Sequence, residues 1–75
     1  MIRFSKHSLL KLKQRKIGKN FVFATLRKPD YTAESYGGRQ IVFRKFNKLY
    51  LKVIFQRKSN FITVITQYWT NKIET

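Results

Sequence analysis

His7 is the only histidine of the chain, and Lys11 and Arg15 follow it at four-residue steps. On a helix such residues fall on one stripe, each about 40° round from the last. Like charges so placed repel by about 0.2–0.5 kcal/mol per pair. The stripe is unfavourable facing nothing and favourable facing a polyanion. Imidazole can act as acid or base near neutral pH, so His7 is a candidate catalytic residue. Lys11 and Arg15 are candidate phosphate contacts. Arg39 follows the pair Gly37-Gly38, where glycine lets backbone approach a ligand closely, and is a candidate clamp on a phosphate or transition state. Tyr68, near the end of the last apolar segment, can donate a proton or stack on a base. Lys45 and Lys52 are further candidate phosphate contacts. Tyr50 and Trp69 are candidate stacking platforms, each worth ~1–3 kcal/mol per base; Trp69 equally suits closure of the core.

This set suits RNA cleavage without a metal or other cofactor. RNA carries its own nucleophile, the 2′-hydroxyl. The protein must help move protons, a contribution of roughly 10²–10⁴-fold, and must stabilise charge growing on phosphorus. Two-metal nuclease chemistry needs clustered carboxylates. One histidine, three acids (Asp30, Glu34 and Glu74) and no cysteine make a poor supply of ligands for a usual metal cage.

Composition narrows the partners. Seventeen Lys and Arg against three acids give a net charge of +14 over 75 residues. So much like charge opposes compaction, and a nucleic acid or an acidic protein would relieve it. At 43% hydrophobic and 16% aromatic residues, the chain has material for a core and does not read as disordered. No apolar run approaches the ~20 residues that span a bilayer, and the helices look too short for a basic membrane-surface helix. Charges interrupt the first residues, unlike the apolar core of a secretory leader. The expectation is one cytoplasmic domain over residues 1–75, with RNA and no membrane as partner.

The elements that must position these residues follow from pattern and punctuation. Residues 6–16 read as a helix with Ser5 as N-cap. Gly18 interrupts, and residues 19–28 read as a second short helix that Pro29 ends. Residues 30–36 form a weak strand, and Gly37-Gly38 a turn. Residues 39–46 read as a strand, Asn47-Lys48 as a tight hairpin, and residues 49–56 as the next strand. There Leu49, Leu51, Val53 and Phe55 share one face, and Tyr50, Lys52, Ile54 and Gln56 the other. Residues 61–69 are the last strand, with Ile62, Val64, Thr66 and Tyr68 expected on one face. In the first strong strand Arg39, Ile41, Phe43 and Lys45 alternate to one side, so Lys45, not Arg44, shares the side of Arg39, although Ile41 and Phe43 look like core. Short links between strands mean antiparallel neighbours. The expected fold is α+β: two short N-terminal helices on one face of a roughly four-stranded antiparallel sheet.

His7, Lys11, Leu12, Arg15 and Ile17, then Val22, Leu26 and Pro29, then Gly38-Arg39, then Thr66 and Tyr68 together resemble a family pattern. It is H-A-x-x-R-M-x-x-R-x-I, a second helix ending in N-P, a G-R strand and a final T-x-Y strand. This is the pattern of a RelE-like branch of the RelE/ParE toxin superfamily, which shares the barnase–EndoU–colicin–RelE fold. Three positions depart: Lys11 stands for arginine and lacks its planar fork, Ser8 stands for alanine, and Gly18 opens the second helix without a side-chain cap. The resemblance implies an endoribonuclease toxin of a toxin–antitoxin pair, acting on RNA or on ribosome-bound mRNA and neutralised by an acidic antitoxin. ParE-like relatives are thought to act on gyrase instead. Three readings therefore stand side by side: a metal-independent endoribonuclease, a non-catalytic nucleic-acid-binding module, and a ParE-like protein-binding effector.

Overall fold

A computed structural model describes residues 1–73; Glu74 lies outside them. The chain runs β1 (Ile2–Phe4), α1 (Lys6–Arg15), α2 (Lys19–Arg27), β2 (Tyr31–Glu34), a single 3-10 turn (Tyr36–Gly38), β3 (Arg39–Phe46), β4 (Leu49–Lys58) and β5 (Phe61–Thr70). The strands form one sheet in the order β1-β5-β4-β3-β2. From β2 to β5 it is an antiparallel meander. Among the described residues no helix is long and apolar enough to cross a membrane.

The expected α+β class and both helices stand, but the sheet has five strands and is mixed. The additional strand, β1, pairs in parallel with β5, Ile2 opposite Ile62 and Phe4 opposite Val64. Three residues show no alternation pattern of their own, and their partner lies 60 positions away. Ser5 joins this strand to the helix. Its N–H donates to the Val64 carbonyl (3.0 Å) and its hydroxyl to the Ile65 carbonyl (3.1 Å). The same oxygen accepts the Ser8 N–H (3.0 Å) as the N-cap of α1. One residue thus ends β1, extends its pairing and starts α1.

Both helices lie on one face. Leu12, Ile17 and Val22 pack with Val42, Leu51, Val53, Phe55 and Val64 in the main core. Gln67 is fully buried beneath α1, where its amide accepts the Ser8 hydroxyl and donates to the Ser8 carbonyl (3.1 Å). Both polar ends are paired, as burial requires. Trp69 makes edge-on contacts with Phe21 and Phe46 at the margin of this core.

The last strand differs from simple alternation. Phe55 stands opposite Val64, but Ile54 stands opposite Thr66, so Ile65 is an extra residue. Such a bulge reverses which face each later side chain meets. Ile62 and Val64 face the helices; Thr66 and Tyr68, expected on the same face as these two, do not, and Gln67 and Trp69 take the helix side instead. The bulge is what delivers Tyr68 to the opposite face.

Candidate nucleic-acid interface

The face away from the helices follows from the register, because side chains alternate at every strand position. On β3 it receives Arg39, Ile41, Phe43 and Lys45, and on β4 Tyr50, Lys52, Ile54, Gln56 and Lys58. On β5 it receives Phe61 and Thr63, then Thr66, Tyr68 and Thr70 beyond the bulge. Tyr31 and Ala33 come from β2, and Arg3 from β1. No Asp or Glu among the described strand residues lies on this face.

Cations and rings interleave across it. Tyr68, Lys52, Phe43 and Tyr31 sit directly opposite one another on β5, β4, β3 and β2, forming a row across the strands. The Lys52 ammonium lies 5.6 Å from the Phe43 ring centroid and 5.4 Å from that of Tyr68. Its stem covers apolar surface while the charge stays at the exterior. Phe43 is fully buried although it faces away from the helices, so the row rests on a small apolar layer of its own that includes Ile41. The expectation that Ile41 and Phe43 are core on the side of Lys45 therefore holds, with this second layer as the reason.

Arg15 reaches this row from the other side of the sheet. The pairing of β1 with β5 stops at Val64, which leaves the second half of β5 with an open edge. There Arg15 donates to the Gln67 carbonyl (2.7 Å) and the Thr66 hydroxyl (3.4 Å), and its guanidinium lies 5.5 Å from the Tyr68 ring centroid. Tyr68 is thus held between Arg15 and Lys52, two cations with no carboxylate among their contacts within the described residues. A ring flanked by cations at these distances is the arrangement cation–π attraction favours.

One step along the strands, Lys45 lies 5.8 Å from the Tyr50 ring centroid, and Tyr31 and Tyr50 meet edge-on at 6.2 Å. Arg44 points the other way, donating to the Ala24 carbonyl near the end of α2 (3.1 Å). Alternation therefore places Lys45, not Arg44, with the site, as the sequence predicts.

Arg39 shares the face but not the row. It is four residues from Phe43, about 13 Å along the strand. The turn before it is built by Gly37 and Gly38 at φ 69° and 74°, values that disfavour other residues. The Gln56 side chain donates to the Gly37 carbonyl (3.1 Å) and ties the turn to β4.

His7 and Lys11 lie outside the row. Ser8 and Leu12 are the buried residues of α1. From the middle of that pair, Arg15 is about 40° round the helix, Lys11 about 80° and His7 about 120°. The drift of the stripe carries Arg15 to the sheet edge, leaves Lys11 half-buried and turns His7 to solvent. Of the three residues expected to catalyse, Tyr68 is in the row, Arg39 at the far end of the face and His7 on the helix. Sequence reasoning placed Phe43 on the side of Arg39 and Lys45 but missed Tyr31, Arg3, Lys58 and Phe61 as parts of the face. Arg3 stacks on Phe61, 4.3 Å from its centroid. Alternation along β4 was the usable signal for Lys58; Phe61 needed the register with β4, and Tyr31 and Arg3 the pairing of the edge strands.

Comparison with family models, with curated proteins and with solved structures found no match for this chain.

Proposed function

We propose that this chain binds single-stranded RNA on the open face of its sheet and cleaves it without a metal, as the toxin of a toxin–antitoxin pair. The observation that carries the reading is the row Arg15–Tyr68–Lys52–Phe43, with Tyr68 held between two cations. Exposed rings such as Tyr31, on which bases can stack, beside cations that track phosphates are how sequence-tolerant single-strand sites are built; the buried Phe43 supports the row from beneath. The resemblance of the sequence to RelE-like toxins supports the same reading, and the net charge of +14 suits an acidic neutralising partner.

The chemistry uses the RNA's own nucleophile. The 2′-hydroxyl attacks the adjacent phosphorus and loses its proton to water, and the bond to the 5′ oxygen breaks. Lys52 holds a non-bridging oxygen of the scissile phosphate and stabilises the charge that develops there, the kind of fixed electrostatic help that is often the largest catalytic term; Arg15, on the other side of the Tyr68 ring, holds the adjoining phosphate. The Tyr68 hydroxyl protonates the leaving 5′ oxygen. Arg39 holds the backbone of flanking nucleotides, and His7 takes no part in the chemical step.

Cutting of a naked single-stranded RNA in EDTA, and separately in a translating extract, tests this. The expected products carry 5′-hydroxyl and 2′,3′-cyclic-phosphate ends. Tyr68→Phe is expected to lower the rate roughly 10²-fold with binding retained, the low end for a lost general acid. His7→Ala is expected to cut like the parent chain. Binding without cutting in either setting would reduce the reading to a non-catalytic module. Loss of cutting in His7→Ala with Tyr68→Phe active would move the chemistry to the helix.

A further inference from the structure

One corner of the open face has a composition unlike the rest. Asp30, Tyr31, Lys45 and Tyr50 line a shallow pocket of ≈ 380 Å³. Tyr31 is half exposed, and its ring meets that of Tyr50 at 72°. Asp30 is anchored from both sides: its N–H donates to the Phe43 carbonyl and its Oδ2 accepts the Lys45 N–H, each at 2.8 Å. A carboxylate has about four acceptor positions on two oxygens, so most of its capacity remains after that one bond. In so basic a protein, an acid fixed at the edge of a cationic face is out of place as a phosphate contact, because it repels phosphate. It is in place as a reader of hydrogen-bond donors.

We infer that this corner is a nucleobase subsite that prefers guanine. The inference rests on the RNA-binding reading above and adds a specificity to it. The base stacks against Tyr31 or Tyr50, and the Asp30 carboxylate accepts from the adjacent N1–H and N2–H of the guanine edge. Lys45 holds the neighbouring phosphate and offsets the carboxylate's charge. Adenine and cytosine offer the carboxylate a single amino group, and uracil sets carbonyl oxygens beside its one N–H, so each pairs less well. The pocket adjoins the Tyr31 end of the Arg15–Tyr68–Lys52–Phe43 row, so one strand of RNA can occupy both.

The test is the affinity of short uridine-rich single-stranded RNAs carrying one guanine, inosine or adenine at the centre. Each is measured by fluorescence anisotropy with the parent chain, Asp30→Asn and Lys52→Ala. Asparagine keeps the shape and can still accept the Lys45 N–H. The expected result is a preference for guanine over inosine and adenine of about ten-fold or more, the size of one good paired contact, lost in Asp30→Asn. Lys52→Ala should weaken all three RNAs together and leave the ratio unchanged. Should Asp30→Asn fail to fold, Tyr31→Ala is the second variant, expected to weaken the guanine RNA most. Equal binding of all three RNAs by the parent chain would overturn the subsite while leaving RNA binding intact. So would a guanine preference that survives Asp30→Asn. Absence of binding to any of them would overturn the RNA reading and the subsite with it.

Discussion

At the scale of single residues, the proposed reaction assigns its chemistry to Tyr68 and Lys52, and Ser8 and Gln67 hold the frame beneath them. Lys52→Ala removes one of the proposed phosphate contacts. It is expected to weaken RNA binding and to make the slope of log affinity against log salt shallower by about 0.7, measured by titration at several salt concentrations. Ser8→Ala leaves the buried Gln67 side-chain Oε1 without its hydroxyl partner. An orphaned buried polar atom costs about 1–3 kcal/mol, which a thermal melt should register as a lower Tm. Gly37→Ala forces a side chain into φ 69° at about 1–2 kcal/mol, again visible in a melt. Which residues were candidates was legible from residue type alone, since rings, cations and a lone imidazole announce their chemistry. Whether they meet was not. The four-residue step of His7, Lys11 and Arg15 fixes only a stripe, and its 40° drift per step decides that Arg15 alone reaches the sheet.

At the scale of elements, local punctuation did most of the work. Ser5 as N-cap, Gly18 between the helices, Pro29 after the second and Gly37-Gly38 before β3 each mark a boundary that the structure shares. Asn47, at φ 61°, turns the hairpin between Phe46 and Leu49. Two features left no local mark. The strand β1 is defined by pairing with residues 60 positions away, and a three-residue run has no periodicity to read. The bulge at Ile65 is one inserted residue inside an otherwise regular apolar strand, and only the register with β4 reveals it. Its consequence is large, because it decides that Gln67 and Trp69 enter the core and Tyr68 faces the site. Deleting Ile65 would leave Val64 and Thr66 adjacent and still opposite Phe55 and Ile54, so the ladder becomes regular, with Tyr68 on the open face and Gln67 beneath α1. The expected outcome is a cooperative thermal transition, monitored by circular dichroism, at a Tm lowered by loss of the Ser5 bond to the Ile65 carbonyl, with RNA binding retained. A deletion variant that melts cooperatively but no longer binds RNA would show that the bulge itself shapes the site.

At the scale of the whole molecule, the fold separates two jobs. One face of the sheet is sealed by both helices and supplies the core; the other is left open with its cations and rings. The net charge of +14 then acts in opposite directions on stability and binding. Salt screens the self-repulsion of the folded chain and releases less free energy when RNA displaces counterions. Raising salt is accordingly expected to raise Tm while lowering RNA affinity. The most direct measurement is an amide chemical-shift titration of the isotope-labelled chain with a short single-stranded RNA. The open-face account predicts shifts concentrated at Phe43, Lys45, Tyr50, Lys52, Thr66 and Tyr68, with the exposed sides of α1 and α2 little changed. Shifts confined to the helices around His7 and Lys11, with the row unmoved, would contradict it.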